Sequence, residues 1–276
     1  MKKNQAIRLT ESAIMLAFSF ILSFIAIVKM PFGGDVTAFS MLPIVLIAYR
    51  YGWKWGCFTA FAFALLQMLM GMGNVLICKT FGAMAIVVLF DYVIAFTVLG
   101  LAGVFRRFTS SQAGALVPGV LLVCLLRFLC HFISGITVWR DISIPANEAY
   151  VFSALYNAAY MIPETIVTII GALFITRVLD FRGETLTRAP QLAHRSALSM
   201  TLSTLVLAVV CGAVLFDALH IFSVINGNEN TAFDITRLPQ ANWPLLGIVT
   251  GAAALIAAVY GVVVTVNKKQ RTRAEA

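Results

Sequence analysis

Residues 115–139 read ALVPGVLLVCLLRFLCHFISGITVW, an apolar stretch broken only by Arg127 and His131 among its basic and acidic positions. Its length suits an α-helix crossing about 30 Å of hydrocarbon, which takes ~20 residues. Similar runs lie on both sides of it. Of 276 residues, 61% are hydrophobic and 12% charged, and mean hydropathy is +0.92. Soluble domains carry about a quarter charged residues, so the composition specifies a polytopic membrane protein. Segments of alternating polarity at strand length are absent, which argues against a β-barrel. The class read here is all-α.

Eight spans are expected: Thr10 to Val28, Ala38 to Tyr49, Cys57 to Met70, Phe81 to Phe105, Ala115 to Trp139, Tyr150 to Ile175, Ala197 to Ile221 and Pro244 to Val266. The second and third are short for a bilayer, so tilting, re-entry or extension through their flanks is expected of them. Fifteen of the 20 Lys and Arg residues fall in alternate loops with the two termini, against Lys29, Lys79, Arg140 and Arg237 on the other side. The positive-inside rule then places both termini in the cytoplasm. The net charge of +8 is explained by this topology, and no nucleic-acid partner is expected. The basic N-terminus lacks a small-residue cleavage site and merges into the first span, so it reads as an anchor rather than a cleaved signal.

A conventional catalytic apparatus is not legible. The chain lacks GxxxxGK[ST], HExxH and GxSxG, and holds three widely separated histidines. The cysteines, Cys57, Cys78, Cys124, Cys130 and Cys211, show no CxxC or CxxH spacing and read as packing residues. No metal, cofactor or enzymatic activity is expected. An intramembrane lipid enzyme would need convergent acidic groups, whereas the carboxylates here are single and separated.

Polar residues inside the spans carry the functional reading. Taking Phe81, Trp139 and Tyr150 as outer ends, Asp91, His131 and Asn157 lie about 15, 12 and 10 Å deep at 1.5 Å per residue. Intramembrane ionisable residues are functional-site candidates. Arg127 lies one turn below His131 on the same face, and Glu164 lies deeper than Asn157. Arg127 is therefore expected to neutralise Asp91 or Glu164. Tyr92, Trp139, Tyr156 and Tyr160 surround the level of the trio. Aromatic faces with one carboxylate suit a flat organic cation. Two blander readings stay open: a structural interhelical network for the trio, and an interface anchor for Trp139.

Four segments carry a resemblance: LRFLCHFISGITVW from Leu126, SMLPIVLIAYRYGWKWG from Ser40, FDYVIAFTVLGLAGVFRR from Phe90 and ALYNAAYMIPE from Ala154. Together they resemble the thiamine-specific S-component of energy-coupling-factor (ECF) vitamin transporters, the ThiT family, over residues 8 to 180. The resemblance implies a six-span substrate-binding domain (1–182), here followed by a cytoplasmic linker (183–196) and a two-span extension (197–276). It implies a thiamine site at Asp91, Tyr92, His131, Gly135, Trp139 and Asn157, with Tyr156 beside it. Asp91 would accept from the aminopyrimidine, His131 and Asn157 would hold its other polar edges, and Trp139 would stack on a ring. It also implies packing of Ala13 and Ala17, a small-xxx-small pair, against an ECF transmembrane coupling subunit served by two ATPase subunits, all in a bacterial cell membrane.

The sequence departs from that pattern in two places. Asp91 stands where glutamate is expected, about one methylene shorter, and the outer end of the second span reads GGDVTAFSMLP without tryptophan, leaving Asp35 and Phe39 as candidates. Another vitamin or pyrimidine precursor, or a proton-coupled carrier of an organic cation using Asp91, His131 and Glu164, are the alternatives. In the extension, Asp217 and His220 are spaced to pair at i and i+3, or to face the interface separately.

Overall fold

The computed structural model describes residues 3–30, 33–141, 149–183, 185–189, 197–225 and 235–274. The chain divides into two compact units, Met1–Ala189 and Pro190–Ala276. Among the described residues, six helices are long and apolar enough to cross a membrane: Gln5–Ser23, Phe81–Arg107, Gln112–Thr137, Ala149–Val178, Thr201–Ile225 and Trp243–Val264. The protein is an all-α multi-pass membrane protein, with two small strand pairs.

The first departure from the eight expected spans comes early. Helix α1 (Lys3–Ser23) stops short of Val28, and the chain turns into an antiparallel ribbon of β1 (Ala26–Lys29) and β2 (Asp35–Thr37). β-Branched Ile27, Val28, Val36 and Thr37 favour the pleat. Gly33 and Gly34, at φ of 89° and 85°, supply the left-handed backbone of the turn. The second expected span is only α2 (Leu42–Tyr51), buried from Pro43 to Arg50. Apolar on every side, it is an interior helix rather than a lipid-facing one. Gly52 at φ 86° then breaks the chain before α3 (Trp53–Met70), and the short α4 (Met72–Leu76) follows.

The fourth span changes helix type along its length. It runs through α5 (Phe81–Ile86), a π-helical segment (Val87–Val93), α6 (Ile94–Thr97) and a 3₁₀ segment (Val98–Arg107). Buried positions in the last recur three apart, Leu99 with Ala102 and Gly100 with Gly103, matching three residues per turn. Glycine is required there because backbones touch: a Cβ on Gly100 would collide with the Cys57 backbone, and one on Gly103 with the Ala48 carbonyl. Such contacts drive helix association in lipid, where no hydrophobic effect separates helix from tail. Gly100→Val is expected to destabilise the first unit by about 3 kcal/mol or more, since backbone cannot yield as side chains do; thermal unfolding in detergent measures it.

Helix α7 (Gln112–Thr137) starts at Ser111, whose Oγ accepts from Gly114 N at 3.1 Å, as N-caps do. It pairs closely with α8 (Ala149–Val178). Beyond α8, β3 (Leu179–Asp180) pairs with β4 (Thr187–Arg188). Gln112 fastens this ribbon to α7, donating to Leu179 O at 3.2 Å and accepting from Phe181 N at 2.8 Å. Part of the polar stretch read as a linker therefore packs in the first unit. The Arg182 guanidinium, 2.6 Å from Asp180, holds that carboxyl below its ordinary value. The pair contributes fully above the ordinary carboxylate range and is lost as pH falls through the lowered pKa.

Arg50 joins three parts of this unit. Its Nε and Nη2 donate to the two oxygens of Glu11 on α1, at 2.6 and 3.1 Å. Its Nη1 donates to the carbonyls of Phe181 and Gly183, at 3.1 and 3.0 Å. Tyr51 Oη adds a bond to Glu11 at 2.6 Å, and the Arg8 guanidinium lies 3.6 Å from the Trp55 ring centroid. Ala13 and Ala17 sit on the exposed face of the same helix, beside Leu9, Ile14, Phe18 and Ile21.

The second unit is a pair of helices, α9 (Ala197–Ile225) and α10 (Trp243–Ala274), with a 3₁₀ turn at Ile235–Gln240. Asp217 and His220 do not pair with each other. Asp217 accepts from Thr250 Oγ1 across the two helices, and His220 Nε2 accepts from Asn242 N at 3.3 Å. Most of the Asn- and Gly-rich loop between the helices, 226–234, lies outside the described residues.

Candidate functional site

Six parts of the first unit line a cavity of about 390 Å³, within the ~300–1,000 Å³ range of small-ligand pockets. The ribbon gives one wall, α3 and α4 another, and the π segment, α7 and α8 the rest. At its centre, Asp91 is met by three donors. His131 Nδ1 lies 3.1 Å from Oδ1, while Ser134 Oγ and Trp139 Nε1 donate to Oδ2 at 2.7 and 2.9 Å. The donors occupy one face of α7 and the 3₁₀ turn (Trp139–Asp141) that follows it. A carboxylate offers about four lone-pair sites, so acceptor capacity remains. His131 Nε2 is buried without a hydrogen-bond partner among the described residues. In the neutral tautomer whose Nδ1 donates to Asp91, that nitrogen is the acceptor at the cavity wall.

Asn157 stands on the adjoining helix. Its amide nitrogen donates to Ser153 O at 2.8 Å, and its oxygen accepts from Tyr160 Oη at 2.7 Å. The Tyr160 ring lies edge-on to His131, centroids 6.2 Å apart. Gly135 makes this approach possible, since a Cβ there would strike Ser153 Oγ. Tyr156 Oη donates to Gly33 O at 2.9 Å, and Tyr92 Oη donates to Gly71 O at 3.0 Å while accepting from Asn74 at 3.3 Å.

The thiamine transporter protein family (Thia_YuaJ) matches residues 9–181. This chain belongs to that family. It is 31% identical to the thiamine transporter ThiT of Bacillus subtilis over 188 residues, covering 63% of this chain and 94% of the relative. It is 26% identical over 203 residues to ThiT of Lacticaseibacillus paracasei, covering 68% and 91%. A solved structure of ThiT from Listeria monocytogenes aligns with TM-score 0.49 at 22% identity, covering 62% of this chain and 92% of that one. The second unit lies beyond the matched residues.

All seven substrate-site candidates, Asp91, Tyr92, His131, Gly135, Trp139, Tyr156 and Asn157, line this same cavity of the thiamine transporter family member. Asp91 and His131 touch directly, whereas Asn157 meets the His131 ring through Tyr160. Trp139 also donates its indole N–H to Asp91. The charge of Arg127 acts on Glu164 without direct contact. Arg127 forms no ion pair with Asp91 or Glu164 among the described residues; its guanidinium lies 4.5 Å from the Phe96 centroid and its Nη1 against Met41 Sδ. Glu164 is instead satisfied by Thr37. Of the second-span candidates, Asp35 lines the cavity, but Phe39, at φ 65°, packs near Gly171.

Sequence reasoning missed Ser134, Thr37 and Asn74. Ser134, three residues from His131, shares its helix face, a usable signal; Thr37 and Asn74 gain their roles only through folding. Burial pushes the Asp35 carboxyl above its ordinary value, against the opposing Met30 N–H and Lys29. The cavity should therefore lose a negative charge at a higher pH than an exposed aspartate would allow. Cation binding is expected to weaken as pH falls through that raised pKa, and Asp35→Asn should flatten this limb of the affinity–pH curve.

Proposed function

We propose that this chain binds thiamine in the cavity around Asp91, as the substrate-binding membrane subunit of an ECF-type importer. The observation that carries the reading is the Asp91–His131 pair in a chain of the thiamine transporter family. The aminopyrimidine offers N–H donors; the spare acceptor capacity of Asp91 and the buried His131 Nε2 are acceptors without other claims on them. The thiazolium ring suits the aromatic faces of Trp139, Tyr156 and Tyr160, which attract cations. The Asp91 carboxylate lines the same cavity beside these rings, which suits a cation.

Binding from the extracellular side, with both termini cytoplasmic, follows from the distribution of Lys and Arg. The chain carries no phosphate-binding loop, so ATP-driven import assigns hydrolysis to two ATPase subunits and a transmembrane coupling subunit. The exposed Ala13 and Ala17 on α1 offer a close-approach surface for the last of these. Titration of purified protein with thiamine, followed by tryptophan fluorescence, is expected to show saturable quenching. An absent response, matched by calorimetry, would reject thiamine as ligand. Undiminished uptake by this chain alone in ATP-free vesicles would reject the partners.

A further inference from the structure

Glu164 lines the cavity from α8 and is only 3% exposed, where a carboxyl group needs hydrogen-bond partners to be tolerated. Both of its oxygens are met by one residue of the ribbon. Thr37 N donates to Oε2 at 2.6 Å and Thr37 Oγ1 to Oε1 at 2.7 Å, with Ser40 Oγ 2.6 Å from the same hydroxyl. Thr37 ends β2 opposite Ala26, and residues Ala26, Lys29, Gly33, Gly34, Asp35 and Thr37 all face the cavity.

One wall of the site is therefore a two-stranded ribbon, a structure with little stability of its own. It rests on α8 at two levels. At one, Tyr156 bonds Gly33 O, and Gly34 sits so close to Tyr160 that a Cβ would come within 2.5 Å of the ring. At the other, Glu164 holds Thr37 by accepting from both its backbone N–H and its hydroxyl. Arg127 forms no ion pair with this carboxyl group among the described residues; its guanidinium lies against Phe96 and Met41.

We infer that Glu164 is a positioning residue: through Thr37 it fixes the ribbon wall against α8 and so sets the affinity of the cavity. The inference rests on the thiamine reading for its binding readout and stands apart from it for its structural one. Glutamine at 164 preserves both contacts, since its oxygen accepts from Thr37 N and its amide donates to the hydroxyl. Glu164→Gln should bind thiamine within about threefold of wild type, and Glu164→Ala roughly tenfold or more weaker. Thr37→Val should weaken binding less, and Glu164→Ala with Thr37→Val no further than Glu164→Ala alone.

Amide hydrogen exchange at Thr37 in the ligand-free protein gives the second readout: protection in wild type and Glu164→Gln, and fast exchange in Glu164→Ala. Wild-type affinity in Glu164→Ala, additive losses in the double variant, or a Glu164→Gln as weak as alanine would overturn the inference. If the wild type does not bind thiamine, the thiamine reading fails, and unchanged Thr37 protection in Glu164→Ala then overturns this one independently.

Discussion

Asp91→Ala is expected to weaken thiamine binding by about 100-fold or more while leaving a folded protein. The substitution removes the acceptor proposed for the aminopyrimidine and strands three donors, His131 Nδ1, Ser134 Oγ and Trp139 Nε1. Truncating one partner of a buried, hydrogen-bonded charge costs about 2–5 kcal/mol, and each 1.4 kcal/mol is tenfold in affinity. Asp91→Asn should fall between, because its amide nitrogen faces groups that already donate. Asp91→Glu restores the residue the family resemblance implies, yet Ser134 and Trp139 are spaced for the shorter side chain, so weakened binding is expected there too. Calorimetry on detergent-purified variants, with melting curves to certify the fold, measures the series. Wild-type affinity in Asp91→Ala would remove this carboxylate from the site.

Arg50→Met should lower the stability of the first unit by about 3 kcal/mol, within the range for breaking a buried ion pair. Arg50 is 4% exposed in its side chain and Glu11 21%. Its loss leaves the Glu11 carboxylate with Tyr51 as its donor here and frees the carbonyls of Phe181 and Gly183. Adding Glu11→Gln should recover part of the loss, since the stranded charge is then gone; such non-additivity marks a direct interaction. Thermal unfolding of the two single variants and the double gives the answer, and an unchanged melting temperature in Arg50→Met would show the cluster to be dispensable.

The membrane class and the polar trio are legible from sequence because both depend on depth and residue type, whereas Gly135 enters only through the family resemblance. An aspartate, a histidine and an asparagine in three apolar runs are costly unless they meet, and helical rise alone brings them level. Asp91 and His131 did meet. What escaped was whatever depends on packing between elements. The ribbon at 26–37 lay hidden because Ile27 and Val28 extend an apolar run without a break, and hydropathy does not distinguish strand from helix over so few residues. Charge alone pairs Arg127 with a carboxyl group, but not the ring face and thioether that it touches, nor the backbone N–H and hydroxyl that meet Glu164.

The π-helical turn at Val87–Val93 also bears on how chain length can vary in this span. A π turn is an α-helix carrying a surplus residue, absorbed locally by an i→i+5 bond. A one-residue deletion, which in a regular transmembrane helix rotates every later side chain by about 100°, is here a deletion the backbone can take up by relaxing to α. Shortening the stretch 87–90 by one residue would leave the 3₁₀ segment seated on α2 and α3, while Asp91 and Tyr92 changed their bearing on the cavity. Ligand preference in this scaffold is thus open to change through chain length, without replacing any residue of the site.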